Sequence, residues 1–268
     1  MFSGSRVLSL RGLSVRYGRS VPALLDVTLD VPADGVLAVL GGSAAGKSTL
    51  LRAVSGGLAA TGGIVADGEI HFEGNRLDGH DQAKRVRLGI AAVPAHGPVF
   101  TGLTVAENLR AGGFGAGSRS ARRRAAARVE ELFPMLAGVA DTRAGRLGAA
   151  EQQLVAIGRA LMSDPKLLLL DEPSLRLPAA TVAEVVRIVR DVGITVLLAD
   201  QRPSVALQVA THALVLELGR TVLAGPAYRL VDEPVVRRLA HRPGGPDHDD
   251  PDAVRTVALP IVPLESAR

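Results

Sequence analysis

Val36-Leu37-Ala38-Val39-Leu40, followed without a break by Gly41-Gly42-Ser43-Ala44-Ala45-Gly46-Lys47-Ser48, is the stretch that decides the reading of this chain. Five apolar residues in a row fit a strand covered on both faces of a parallel sheet. The next eight residues match G-x-x-x-x-G-K-[S/T], and residues 47–54 continue as an apolar-periodic helix. Each position has a physical reason. Glycines let the backbone curl until successive N–H groups converge on an anion, and the helix that follows adds its positive N-terminal end. Gly41, Gly42, Ser43, Ala44, Ala45, Gly46, Lys47, Ser48 and the adjoining Thr49 are therefore candidate nucleotide-binding residues. Lys47 suits the β- and γ-phosphates of ATP, and the Ser48 hydroxyl suits Mg²⁺. The chain has only three lysines, Lys47, Lys84 and Lys166. One stands where a phosphate loop requires it, which argues against an ordinary glycine-rich turn.

Working outward, about 120 residues further on, residues 167–170 are four leucines followed by Asp171 and Glu172. In a parallel α/β sheet the C-terminal strand ends face the ligand crevice. Asp171 is placed there to hold Mg²⁺, usually through water, and Glu172 to orient and deprotonate an attacking water. An acidic turn after a strand is common by itself. Together with the phosphate loop it reads as the second half of one site.

The remaining pattern fits around these two motifs. Residues 7–17 and 24–31 alternate as half-buried antiparallel strands do, whereas 88–93 and 194–199 are continuously apolar. Helical periods occur at 122–136, 151–162 and 181–189, the last with Pro178 near its start, where a missing N–H costs little. From about 104 to 162 helices prevail, opened by a capping box at Thr104 and Glu107. The expectation is an α/β fold with a phosphate-loop core, an antiparallel β subdomain and a helical subdomain inserted at about 100–162. Residues 1–240 form the domain, and 241–268, dense in Pro, Gly and Asp, form a flexible tail. In that tail His248 among Asp247, Asp249 and Asp250 reads as solvated charge rather than a metal site.

Composition narrows the function classes. Hydrophobic residues make up 47% and charged residues 22%, with no cysteine, so a full core is available and disulfide or thiolate-metal chemistry is excluded. The N-terminus has no signal-peptide core and no run reaches the about 20 apolar residues needed to cross a bilayer. A cytoplasmic address is expected, with any membrane crossing left to another chain. The net charge is +4, but the arginines are dispersed and only seven aromatics are present, so no nucleic-acid partner is expected. Arg122, Arg123, Arg124 and Arg128 read as a solvated helix face.

The motifs resemble those of ABC transporter ATP-binding subunits, specifically the branched-chain amino acid uptake group. The resemblance lies in residues 151–162 with 167–175, in Val99-Phe100-Thr101-Gly102-Leu103-Thr104-Val105-Ala106-Glu107-Asn108-Leu109, and more broadly in about 6–240. It implies an ABC-type ATPase at the cytoplasmic face of the cell membrane, energising permease subunits for branched-chain amino acids or similar small polar solutes. ATP and Mg²⁺ are the implied ligands, and a sister subunit or a second copy the implied partner. It also implies that Tyr17 stacks on adenine, that Gln201 occupies the switch position beyond the strand at 194–199, and that Ser174-Leu175-Arg176-Leu177 touches the partner.

The chain departs from the family pattern in four segments. The signature Leu-Ser-Gly-Gly-Glu/Gln reads Leu147-Gly148-Ala149-Ala150-Glu151, losing a hydroxyl and adding two methyl groups where close backbone approach is wanted. Ala95 stands where Gln or Glu is usual, Gln201 where most members have His, and Ala44 replaces the middle glycine of the loop. Two functions follow: a transport ATPase, paired with a sister that carries an intact signature, or a non-catalytic ATP-binding partner. Intact Glu172 favours the first.

Overall fold

A computed structural model describes residues 6–19, 21–95 and 99–240. The tail at 241–268, with His248 and its neighbouring aspartates, lies outside the described residues. Among the described residues ten strands form two sheets: β1 (Arg6–Tyr17), β2 (Val21–Pro32), β3 (Val36–Leu40), β4 (Gly63–Phe72), β5 (Asn75–Arg76), β6 (Ile90–Val93), β7 (Leu167–Asp171), β8 (Thr195–Asp200), β9 (His212–Glu217) and β10 (Arg220–Pro226). The smaller sheet is antiparallel, in the order β2-β1-β4-β5. The larger runs β10-β9-β3-β8-β7-β6, parallel throughout except for the β9–β10 edge hairpin.

The continuous apolar runs are explained by two cores. Val36, Ala38 and Leu40 of β3 point into one cluster, with Val155 and Ile157 of helix Ala149–Leu161 and Val185 and Val189 of helix Ala179–Asp191. Leu37 and Val39 point into the other, with Leu50 and Val54 of helix Lys47–Ser55 and Leu10 and Leu13 of β1. A strand between two cores has no solvent face, so it cannot alternate in polarity.

In the antiparallel sheet the alternation is real but changes phase. Leu8 and Leu10 are buried, then Leu13 and Val15; in β2 Leu24 is buried, then Val27, Leu29 and Val31. The phase slips at Gly12 (φ 58°) and Asp26 (φ 55°), both left-handed, where the pairing register shifts. Crossed side-chain bonds hold the slip: the Gly12 N–H donates to Thr28 Oγ1 at 2.9 Å and the Asp26 N–H to Ser14 Oγ at 3.0 Å. A bulge keeps apolar residues on the core face at both ends of a long strand. It also lets β1 end with Tyr17 beside the first turn of helix Lys47–Ser55.

Three sequence expectations need correction. The helix expected at 122–136 is two helices, Arg119–Leu132 and Pro134–Gly138, because Pro134 has no N–H to continue the ladder and Phe133 before it leaves helical geometry (φ −133°, ψ 63°). The strand expected at 88–93 begins only at Ile90, since Leu88 closes helix Gln82–Leu88, stopped by Gly89 at φ 103°. Strands β4, β5, β9 and β10 were not anticipated at all. The Thr104–Glu107 capping box is present, with both reciprocal bonds at 3.2 and 2.8 Å. No helix among the described residues is long and apolar enough to cross a membrane.

Candidate active site

The strand order β3-β8-β7 brings three chain-distant segments together. The loop Gly41–Gly46 leaves β3, Gln201 follows β8, and Asp171-Glu172 ends β7, all at one edge of adjacent parallel strands. Such an edge is where α/β sheets place ligands.

The loop's glycines are required sterically. A Cβ on Gly41 would lie 2.6 Å from the Leu216 carbonyl oxygen, and one on Gly46 (φ 107°) 2.7 Å from that of Ala23. The hairpin turn at Leu218-Gly219 clasps the loop from the side. Gly219 N–H donates to Ala45 O at 3.0 Å, and Leu25 N–H of β2 donates to Gly219 O at 2.8 Å. Ala44 takes φ 60°, a left-handed conformation in which a Cβ costs about 1–2 kcal/mol. Helix Lys47–Ser55 is fixed at its far end by buried Arg85, which donates to the carbonyls of Ala53 and Val54.

Lys47 is 3% exposed, and its ammonium donates to Gly41 O and Gly42 O, both at 2.9 Å, while pairing with Glu172 Oε1 at 3.1 Å. Gln201 Nε2 donates to both Glu172 oxygens at 2.8 Å. Glu172 itself sits in the left-handed region (φ 45°, ψ 51°), its N–H donating to Ala199 O of β8 at 2.7 Å. Strain at a non-glycine residue persists only where surroundings impose it, and here the carboxylate is gripped by Lys47 from one side and Gln201 from the other. Ser48 Oγ donates to Asp171 Oδ1 at 3.0 Å. Burial pushes the Asp171 carboxyl above its ordinary range; the Ser48 bond and the Arg52 and Lys47 charges pull the other way.

A cavity of about 660 Å³ runs from this cluster to Tyr17 and is lined also by Ser43–Thr49, Arg52, Ala95 and Leu175. The Tyr17 hydroxyl lies 3.3 Å from Thr49 Oγ1 and accepts from Arg52 Nη1 at 3.5 Å. Lys47, Ser48, Thr49, Asp171, Glu172, Gln201 and Tyr17 thus meet at one cavity, with Gly46, Ala45, Ala44 and Ser43 on its wall. Gly41 and Gly42 reach it through the Lys47 ammonium. Arg52 was not singled out from the sequence. Its signal was its place one turn after Ser48 on the same helix face.

The signature segment lies elsewhere. Gly148 is the N-cap of helix Ala149–Leu161, and it and Ala149 are exposed. Glu151 accepts from the Gly148 N–H at 2.8 Å, but glycine has no oxygen with which to return the bond. Within one chain this helix start contributes nothing to the cavity.

Comparison with known proteins agrees with this fold. The ABC transporter family model matches residues 24–175. The high-affinity branched-chain amino acid transport ATP-binding protein BraG of Pseudomonas aeruginosa is 41% identical over 86% of this chain and 97% of its own length. The probable branched-chain amino acid transport ATP-binding protein LivF of Archaeoglobus fulgidus is 31% identical over the same shares. Among solved structures, the ADP conformation of an ATP-binding cassette of an ABC transporter superposes with a TM-score of 0.75 at 25% identity, covering 87% of this chain and 98% of that one. With its phosphate loop, its acidic strand end and relatives matched along nearly their whole length, the chain belongs to the ABC transporter family of ATP-binding subunits.

Proposed function

We propose that this chain binds and hydrolyses ATP to drive import of branched-chain amino acids or similar small polar solutes, docked on permease subunits at the cytoplasmic face of the membrane. The solute class is supported by the 41% identity to BraG. The observation that carries the catalytic reading is the continuous contact chain Lys47–Glu172–Gln201 beside Ser48–Asp171. On this reading residues 1–240 are the ATPase domain with a helical arm at about 100–162.

The roles follow from the chemistry of each group. The Tyr17 ring offers a flat apolar face to adenine while its hydroxyl is tied to Thr49. The loop backbone, the helix start and the Lys47 ammonium receive the phosphates. Glu172 takes the proton of a water attacking the terminal phosphate. Gln201 holds both of its oxygens and, being an amide, cannot accept that proton in its place. The Ser48 hydroxyl and Asp171 carboxylate, 3.0 Å apart, are hard oxygen donors of the kind Mg²⁺ takes one or two of alongside substrate phosphates. Asp171 is buried with no lysine or arginine bonded to it among the described residues, so a divalent cation suits it electrostatically. Bound there, Mg²⁺ would neutralise phosphate charge.

The test is ATP binding and phosphate release by wild type, Lys47→Ala and Glu172→Gln. Binding lost in Lys47→Ala, and binding kept with turnover down about 100-fold or more in Glu172→Gln, is expected. A wild type that binds ATP and turns over no faster than Glu172→Gln would make this the non-catalytic partner instead.

A further inference from the structure

At one end of helix Arg119–Leu132, four arginines have nothing to answer them. Arg119, Arg122, Arg123 and Arg124 are all exposed, and none forms an ion pair with a described residue; Arg128, one turn on, is paired with Asp164 at 3.0 Å. The first turn contains no acidic residue. Cations here oppose the helix macrodipole, whose positive end lies at this terminus, and they repel one another. The helix's own acids, Glu130 and Glu131, are too distant to compensate. They lie about 6–12 residues further along, roughly 9–18 Å at the helical rise, which exceeds the Debye length of about 8 Å at physiological salt. The opposite face of the helix is committed to the core through Ala125, Val129 and Leu132.

A large apolar side chain stands next to this charge. Phe114, in the 3₁₀ turn Gly113–Gly115 that leads into the helix, is 84% exposed. Gly113 beside it is covered by the Arg122 stem, because a Cβ on Gly113 would lie 3.4 Å from Arg122 Cγ and Cδ. The tip therefore combines an exposed aromatic ring with four guanidinium groups that form no ion pair among the described residues. An anionic bilayer surface answers both parts: lipid phosphates pair with guanidinium forks and the ring enters the acyl boundary. An acidic protein segment would answer the charge but leaves the protruding ring without a stated pocket.

We propose that this tip, Phe114 with Arg119, Arg122, Arg123 and Arg124, rests on the anionic lipid surface, giving the subunit a direct membrane contact of its own. The contact needs no nucleotide, so it stands or falls separately from ATP turnover. The experiment is flotation of the whole chain with vesicles of phosphatidylcholine alone, or of equal parts phosphatidylcholine and phosphatidylglycerol. Wild type should float only with the anionic vesicles and release in high salt. Each arginine near the surface contributes about fivefold, so Arg119→Gln, Arg122→Gln, Arg123→Gln and Arg124→Gln together should lower partitioning about 100-fold or more. Phe114→Ser should lower it about tenfold. Glutamine keeps helix propensity, and unchanged ATP binding by both variants verifies the fold. Equal binding to neutral vesicles, full binding by the fourfold variant, or wild-type binding to soluble polyglutamate but not to vesicles would each overturn the proposal, the last in favour of an acidic protein partner.

Discussion

Restoring the altered signature should move stability and activity in opposite directions, and the structure sets both magnitudes. The change is Gly148→Ser, Ala149→Gly and Ala150→Gly. Gly148 already has N-cap geometry (φ −64°, ψ 163°) and Glu151 already accepts its N–H. A serine there completes the capping box, worth a few tenths of a kcal/mol over glycine. The two glycines then occupy the first turn of helix Ala149–Leu161 and cost about 0.5 kcal/mol each in backbone entropy. The net loss is about 0.5–1 kcal/mol, a melting point lower by about 1–4 °C. If this helix start closes over nucleotide held by a second subunit, the added hydroxyl and the removed methyls should raise turnover about tenfold, equivalent to 1.4 kcal/mol in the barrier. The assay is phosphate release at saturating MgATP, read across protein concentration so that dimer formation is visible, beside thermal melts of both proteins. A variant that melts lower and turns over no faster would refute the reasoning and leave Ala95 or Gln201 as what limits the chemistry.

Other perturbations separate individual contacts. Gln201→Leu removes both 2.8 Å bonds to Glu172 and should cut turnover about 10- to 100-fold, with ATP affinity nearly unchanged; a large loss of affinity instead would put Gln201 in nucleotide binding. Ala44→Gly relieves a left-handed Cβ worth about 1–2 kcal/mol against about 0.4–1 kcal/mol of added unfolded-state entropy, so urea unfolding should show a gain of about 0.5–1 kcal/mol. No gain there would mean that the loop absorbs the strain. Asp200 is fully buried, its Oδ1 accepting from Ser174 Oγ at 2.7 Å while Oδ2 has no described partner, and burial pushes its carboxyl above the ordinary 3.8. The native state therefore holds that proton more tightly, and its ionisation costs stability as pH rises from about 3.8 through the native value. Asp200→Asn should gain on wild type over that pH interval and level off above it; a stability difference independent of pH would sink the assignment.

What could be read ahead of the structure was whatever depends on local order. The strand–loop–helix at 36–54 and the apolar strand ending in Asp171-Glu172 show their type in composition alone, because burial on two faces forbids polar residues. The capping box at Thr104 was equally plain, being a contact across three residues. Strands β4 and β10 escaped because they are edge or partly solvated, with sequences such as Gly63–Phe72 that mix charges and glycine without a clean period. The phase slips at Gly12 and Asp26 escaped because a bulge depends on cross-strand partners, here Thr28 and Ser14. For the candidate site, the residue types were visible and the contacts were not. Gln201 is visible as an amide beyond a strand, but that it grips Glu172 is a pairing created by β8 lying between β3 and β7. Nothing within either segment specifies that strand order.

The separation of the intact parts from the altered ones constrains the assembly. Lys47, Ser48, Asp171, Glu172 and Gln201 are in mutual contact within one chain, so their arrangement does not wait for a partner. Gly148 and Ala149 are exposed, and Ala150 half-buried, at the start of a different helix outside the cavity, where only another chain can use the segment. A homodimer would therefore place two sound phosphate loops opposite two altered signatures, and restoration should speed both sites. A heterodimer with an intact sister would complete this chain's own loop and leave the sister's loop facing the alanines, so restoration should speed one site of two. Mixing the restored chain with Lys47→Ala chains divides these cases. If this chain works with itself, mixed dimers retain one site built from a sound loop, while Lys47→Ala disables the other. Turnover should then follow the binomial share of sound loops facing either signature. If a sister subunit is required, the mixture should stay as slow as wild type alone until that sister is added.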